Sequence, residues 1–100
     1  MRAKQFLSEV MRTAWQFVRR DGQSLSEALR VAWRNTRLVI AMRTKDVSFC
    51  YRKVDGTIRE AIGTLRSRFV GRDSDTTQIY FDVDKQAWRS FRKVNLLSIN

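Results

Sequence analysis

Residues 47–65 read VSFCYRKVDGTIREAIGTL, and this stretch decides the fold of the second half of the chain. Two runs rich in β-branched and aromatic residues flank Asp55-Gly56, a dipeptide that favours a tight turn between antiparallel strands. The pattern predicts a β-hairpin with a two-residue turn, in which Phe49 lies opposite Ile62. Apolar residues then occur on both faces of the hairpin, and this favours a small closed barrel over an open sheet with one buried face.

The sequence after this hairpin continues in short strands. RSRFVGRDSDTT at 66–77 is predicted as a polar loop. Its arginines are Arg66, Arg68 and Arg72. QIYFDVD and QAWRSFRKV then form a second predicted hairpin around Asp84-Lys85, and LLSI at 96–99 is a short closing strand. Residues 45–100 are therefore predicted to form one domain of five antiparallel strands.

The first half of the chain repeats itself with a spacing of 18 residues. FLSEVMRTAWQFVRR at 6–20 returns as SLSEALRVAWRNTRL at 24–38. Seven residue types recur at matching positions: Leu7 and Leu25, Ser8 and Ser26, Glu9 and Glu27, Arg12 and Arg30, Ala14 and Ala32, Trp15 and Trp33, Arg19 and Arg37. At about 100° per residue, both copies place an apolar stripe on one side of a helix and a basic stripe on the other.

A turn lies between the two copies. Gly22 tolerates the left-handed backbone that ends many helices, and a capping box begins at Ser24. The prediction is an α-helical hairpin as a domain over residues 1–44, packed against the rest of the protein through Trp15 and Trp33. A helix-turn-helix that reads DNA is the second interpretation, although that motif normally includes a third helix and strands follow here.

Charge is the strongest functional signal in the sequence. The 20 lysines and arginines outnumber the 10 acidic residues, so the chain has a formal net charge of +10 and a pI of about 11.1. Fifteen of the basic residues are arginine, whose planar guanidinium binds phosphate through two hydrogen bonds and stacks on bases. Such a chain attracts polyanions, and the predicted partner is nucleic acid, with DNA and RNA left open.

The residue inventory argues against catalysis. One cysteine and no histidine exclude disulfide frameworks, zinc fingers and histidine-based acid–base catalysis. The sequence has no motif for a nucleophile with its base or for a glycine-rich phosphate loop. Asp73 and Asp75, like Asp82 and Asp84, lie where turns favour aspartate and are interpreted as turn residues rather than metal ligands. We therefore expect a non-enzymatic protein without a metal or a cofactor, with Cys50 as a small buried strand residue.

Hydropathy gives an expectation about location. Apolar runs reach about five residues, and charged residues occur throughout the first twenty positions. Neither a membrane-spanning helix nor a signal peptide is predicted. A single cysteine suits a reducing compartment, so we expect a cytoplasmic protein with no membrane partner. The exposed strand edges of a small barrel also allow assembly into an oligomer.

YRKVDGTIREAIGTL, followed after a loop by YFDVDKQAWRSFRKVNLL, resembles the WYL-like, Sm-like SH3 β-barrel family of small proteins from bacteria, mobile elements and phages. The resemblance covers residues 45–100, and SEALRVAW is similar to the helix that precedes this barrel. It implies an α+β fold in which the helical hairpin is followed by a five-stranded SH3- or Sm-like barrel. By analogy with WYL domains of transcriptional and defence regulators, it implies binding of nucleic acid or another anionic ligand. The stretch from Arg89 to Arg92 resembles the basic strand of those regulators.

Six arginines are predicted to contact nucleic-acid phosphates: Arg30, Arg34, Arg37, Arg52, Arg89 and Arg92. Small barrels also bind single strands by stacking bases on aromatic residues beside cations. Tyr51 and Trp88 have such neighbours, although a core position is the first expectation for each. The alternative to nucleic acid is a protein-interaction module that docks an acidic host or phage partner through the barrel or the helical hairpin.

Overall fold

In the part of the chain that the structure describes, two helices are followed by five strands. The computed structural model describes residues 3–66 and 76–100. The elements are α1 (Ala3–Asp21), α2 (Leu25–Met42), β1 (Val47–Arg52), β2 (Ile58–Thr64), β3 (Thr77–Asp82), β4 (Ala87–Arg92) and β5 (Leu96–Ile99). A 3₁₀ turn, Lys93–Asn95, joins β4 to β5. The predicted α+β order is confirmed, whereas Arg68, Arg72, Asp73 and Asp75 lie outside the described residues.

The two helices form the predicted hairpin, and its turn has the capping geometry that the sequence indicates. Gly22 has a φ of 70°, a left-handed conformation that glycine adopts without strain. The Ser24 hydroxyl accepts a hydrogen bond from the backbone N–H of Glu27 at 3.2 Å and caps α2. The buried cluster of this hairpin consists of Val10, Ala14, Phe17, Ala28, Val31 and Ala32.

The prediction that Trp15 and Trp33 are buried packing residues is wrong. They are 42% and 38% exposed, whereas Ala14 and Ala32, one residue earlier in each copy, are buried. Successive residues on a helix are about 100° apart. The buried stripe of each helix is centred on the alanine, so each tryptophan lies at the edge of that stripe. The apolar sector of each helical wheel is wide, and packing against the neighbouring elements determines which of its edges is covered.

The described strands form a five-stranded antiparallel sheet in the order β4-β3-β2-β1-β5, so the closing strand lies beside the first. In the second hairpin Asp82 lies opposite Ala87, so its turn is centred on Asp84-Lys85 as predicted. An irregularity in the pairing of β1 with β5 follows Cys50 and adds local twist. Cys50 itself is only partly buried, contrary to the prediction, because it alternates with the core residues of β1.

The first hairpin has a different register from the predicted one. Phe49 lies opposite Ala61 rather than Ile62. Lys53 and Thr57 close the turn, and Gly56 takes a φ of 91°. The turn therefore contains three residues instead of two, and a left-handed glycine in the third position is typical of such turns. This extra turn residue shifts the pairing of the whole hairpin by one position.

An aromatic cluster fills the centre of the barrel. Phe49, Tyr51, Tyr80 and Phe91 are each 5% exposed or less. The hydroxyl groups of Tyr51 and Tyr80 lie 2.9 Å apart, so their buried polar ends satisfy each other. Gly63 faces this cluster, and a Cβ there would lie 2.8 Å from side-chain carbons of both Phe49 and Tyr80. The close approach of two rings therefore requires glycine at this position.

The C-terminal half of α2 attaches the hairpin to the barrel. Leu38 and Met42 belong to the same buried cluster as the aromatic residues of the strands. The Asn35 side-chain amide donates to the backbone oxygen of Lys93 at 2.8 Å. The backbone N–H of Leu65 donates to the carbonyl of Met42 at 3.0 Å. These contacts position the exposed basic side of α2 beside the end of the sheet, while the division into domains after residue 44 stays a prediction.

Candidate nucleic-acid interface

A groove of about 600 Å³ lies between β4 and the end of β1 with its turn. Tyr51 and Phe91 form its apolar floor, and their stacked rings have centroids 5.0 Å apart. Its cations are Arg52, Lys53, Arg89 and Arg92. Among the described residues that line it, Asp55 is the only acidic one. We call this site the barrel groove, and its charge and concave shape suit an anionic ligand.

The turn of the first hairpin orders two of these cations. Arg52 Nη1 donates to the carbonyl of Gly56 at 3.2 Å, and Lys53 Nζ lies 4.0 Å from a carboxylate oxygen of Asp55. The Thr57 hydroxyl donates to Asp55 at 2.7 Å. This bond, together with one from the Thr57 backbone N–H, lowers the pKa of Asp55 from its ordinary value. Asp55 is therefore ionised at neutral pH and holds the turn that positions both cations.

The other two cations are held from β4. Arg92 Nη2 donates to Asp21, at the end of α1, at 3.1 Å. Arg89 Nε lies 3.4 Å from Asp82, which also accepts a hydrogen bond from Arg59 Nη2 at 2.7 Å. A guanidinium carries five N–H donors, so Arg89 and Arg92 retain donors for a phosphate while one contact fixes each side chain.

Asp82 anchors this network from inside the protein. Its side chain is 1% exposed, and it accepts a further hydrogen bond from the backbone N–H of Lys85 at 3.1 Å. Burial by itself would raise the pKa of Asp82, but the hydrogen bonds from Arg59 and Lys85 and the charges of Arg59 and Arg89 outweigh burial and lower the pKa. The Lys85 contact confirms the interpretation of Asp82 as a turn residue. The pairing with Arg59 was not predicted.

A second groove, of about 320 Å³, lies on the surface of α2. We call it the helix groove, and it is lined by Leu29, Arg30, Trp33, Arg34 and Arg37. Arg30 Nη1 lies 3.4 Å from Glu27, and Arg34 Nη1 donates to the carbonyl of Leu96 at 2.9 Å. Asn95 lines the barrel groove. An arginine of the helix groove therefore contacts the residue that follows Asn95 in the chain.

The structure divides the six predicted arginines into two groups. The barrel groove has Arg52, Arg89 and Arg92, and the helix groove has Arg30, Arg34 and Arg37. Of the two barrel aromatics with basic neighbours, Tyr51 lies in the core, as first expected. Trp88 is partly buried and packs edge-on against Phe81 with ring centroids 5.5 Å apart. Trp33, which was predicted as a core residue, lies instead in a groove with three arginines.

A comparison with protein families identifies the barrel. The family model described as WYL_2, Sm-like SH3 beta-barrel fold matches residues 35–97. The chain belongs to the WYL_2 family. The match begins at Asn35, whose side chain bonds α2 to the end of the sheet, and it ends in β5. The WYL_2 barrel is compatible with a small regulatory or binding module.

Two other comparisons found no relative of this WYL_2 protein. Neither the curated proteins nor the solved structures contain a significant match to the chain.

Neither of the described helices combines the length and the apolar character needed to span a bilayer.

Proposed function

We propose that this WYL_2 protein is a non-enzymatic accessory or regulatory protein that binds the phosphate backbone of nucleic acid through its arginines. The observation that carries the proposal is the barrel groove. There Arg52 and Lys53 from one segment converge with Arg89 and Arg92 from a distant one over an apolar floor. The described lining residues include four cations and one carboxylate, and Asp21 and Asp82 each contact one of these cations from outside the lining, so the groove keeps a net positive charge.

The chemistry of the groove favours contacts to phosphates over contacts to base edges. Guanidinium groups match phosphate oxygens in pairs. The described cations of the groove come from a turn and a strand edge rather than from a helix or ribbon shaped to enter a major groove. The net charge of +10 adds long-range attraction for any polyanion. We therefore expect binding that is sensitive to salt and weakly specific for sequence.

Fluorescence anisotropy with labelled duplex DNA, single-stranded DNA and RNA at several salt concentrations tests the proposal. For four phosphate contacts on duplex DNA, one for each cation of the barrel groove, the slope of log K against log salt is expected to be about −3 to −4. Arg52→Ala should flatten this slope by about one unit. The substitution removes an exposed side chain whose contact is a hydrogen bond to a backbone carbonyl, so the fold should persist.

Arg43→Ala is the matched control for this variant. Arg43 is exposed and is absent from the lining of both grooves, yet its replacement removes the same charge. Its effect on the slope should be clearly smaller than that of Arg52→Ala. Equal effects of the two substitutions would refute the barrel groove as the site. Absence of binding to all three nucleic acids at micromolar protein and low salt would refute the function.

An acidic protein partner is the second candidate. Val54 and Ile58, at the tip of the first hairpin, are 93% and 62% exposed, and a protein surface would cover such apolar side chains better than phosphates would. Under this alternative, a pull-down from nuclease-treated lysate retains one dominant acidic protein at moderate salt. If every protein retained from untreated lysate is lost after nuclease treatment, the protein-partner alternative is contradicted.

A further inference from the structure

The internal repeat duplicates a surface rather than a packing interface. Of the seven residue types that recur 18 positions apart, only the alanine pair, Ala14 and Ala32, is buried, and the other six pairs are exposed in both copies. The packing residues themselves differ between the copies, since Phe17 of α1 corresponds to Asn35 of α2. The hairpin could therefore fold without the repeat, and the repeated residues are those that the helices present to solvent.

The tryptophans of both copies lie at the edge of the buried stripe and are partly exposed. Asn35 marks the barrel side of α2, because its side chain bonds to Lys93. Trp33 precedes Asn35 by two residues, which corresponds to about 160° of rotation around the helix. On α1, Trp15 has the same relation to the buried Phe17. Each indole therefore lies on the side of its helix opposite Asn35 or Phe17, at the edge of the buried stripe, and we call this side the outer face of the hairpin.

Trp33 shares the helix groove with three arginines. Arg30, Arg34 and Arg37 line the helix groove with it, and the described lining contains no acidic residue. An indole face stacks on a nucleobase of any type, and guanidinium groups beside it bind the phosphates that flank that base. A base stacks on a protein side chain in this way only when it is unpaired and can leave its own helix.

We infer that the outer face of the helical hairpin is a stacking site for unpaired nucleobases, with Trp33 as the main platform and Trp15 as a second one. The inference rests on the proposed nucleic-acid function and narrows its ligand to single strands. In the first copy, Arg12 and Arg19 correspond to Arg30 and Arg37. The position that corresponds to Arg34 is occupied by Gln16. The Trp15 platform is therefore the weaker of the two.

Charge and size favour this occupant over others. A second copy of the chain would bring the same arginines face to face, and like charges across an interface repel. An acidic helix of another protein would satisfy the arginines, but a helix with its side chains is about 10 Å wide and needs a long apolar groove. The helix groove is a site of about 320 Å³ around one indole, which suits a nucleotide better than a helix.

The test compares two labelled oligonucleotides of equal length, one of thymidines and one in which abasic sites replace the bases. Both carry the same phosphates, but only the thymidine strand can stack. The wild-type protein should bind the thymidine strand on the order of ten-fold more tightly, with quenching of its tryptophan fluorescence. Trp33→Leu keeps apolar bulk without an aromatic face and should lose most of this preference, whereas Trp33→Phe should retain it.

Ile40→Ala is the matched control, because Ile40 is an exposed apolar residue of α2 that is absent from the lining of the helix groove. The Ile40→Ala variant should prefer the thymidine strand as strongly as the wild type does. Circular dichroism should show that every variant is folded. Equal binding of the thymidine and abasic strands by the wild type overturns the stacking site but leaves phosphate binding standing. Binding of neither strand also overturns the stacking site, and it refutes the proposed function itself if duplex DNA and RNA are not bound either. Binding of a designed acidic helical peptide that depends on Trp33, without any base preference, assigns the face to a protein partner instead.

Discussion

Replacing Asp82 by asparagine should destabilise the fold strongly at neutral pH. The Asp82 and Arg59 side chains are 1% and 21% exposed, and their charged atoms lie 2.7 Å apart. Asparagine preserves the size of the side chain and its contact with Lys85 but removes the charge that faces Arg59. Loss of one partner of a buried ion pair costs about 3–5 kcal/mol. Because water reaches part of Arg59, we expect a decrease of about 2–4 kcal/mol in the free energy of unfolding.

The effect should depend on pH in a defined direction. The pKa of Asp82 is lowered in the folded protein, so its ionisation contributes stability above the unfolded-state pKa of about 3.9. This contribution is lost as the pH falls through the folded-state pKa. The difference in stability between the wild type and Asp82→Asn should therefore be nearly constant from about pH 7 to pH 5 and should shrink below about pH 4.

Urea denaturation followed by circular dichroism at about pH 7, 5 and 3 measures this difference. Asp84→Asn is the control, because Asp84 is an exposed carboxylate in the same turn, and it should change stability by less than about 0.5 kcal/mol. An unchanged stability of Asp82→Asn at neutral pH would refute the role of the buried ion pair. A difference of full size at pH 3 would show that lost charge pairing is not its cause.

Three further substitutions test the barrel core and the helix surface. Gly63→Ala should lower the free energy of unfolding by about 1–3 kcal/mol, because the new methyl would meet Phe49 and Tyr80 at 2.8 Å; an unchanged urea midpoint would contradict the close approach. Tyr80→Phe should lower it by about 1–2 kcal/mol, because the buried Tyr51 hydroxyl loses its partner, and full stability of the variant would show that another group satisfies Tyr51. Phe49→Ala should lower the thermal midpoint much more than Trp33→Ala, because Phe49 is buried and Trp33 is not. Equal decreases in the thermal midpoint for the two variants would show that Trp33 is packed in the core.

Local sequence signals were sufficient to locate the elements. Gly22 and Ser24 mark the helical turn, and alternation of apolar residues marks the strands, because these effects act between residues a few positions apart. The predicted register of the first hairpin was wrong because a local signal does not fix the length of the turn. Asp55-Gly56 is compatible with a two-residue or a three-residue turn, and the choice depends on which pairing places Phe49 in the core.

The candidate site could be predicted in its residue types but not in its arrangement. The surplus of arginine and the basic strand identified all six arginines that line the two grooves. The ion pair of Arg59 with Asp82 could not be predicted, because it depends on the register between β2 and β3. These strands are separated in the chain, since β2 ends at Thr64 and β3 begins at Thr77, and no local signal relates one strand to the other.

The sequence by itself determined the order of the helices and strands, the WYL-like barrel and the basic character of the surface, since caps, turns, periodicity and charge are properties of short segments. Only the tertiary structure decided which residues share a site. Arg52 and Arg92 line one groove, and Trp33 is partly exposed while Leu38 belongs to the barrel core. These outcomes depend on contacts between segments far apart in the chain. An amphipathic pattern states how wide an apolar face is, but only the packing of one element on another selects the part of that face that is covered.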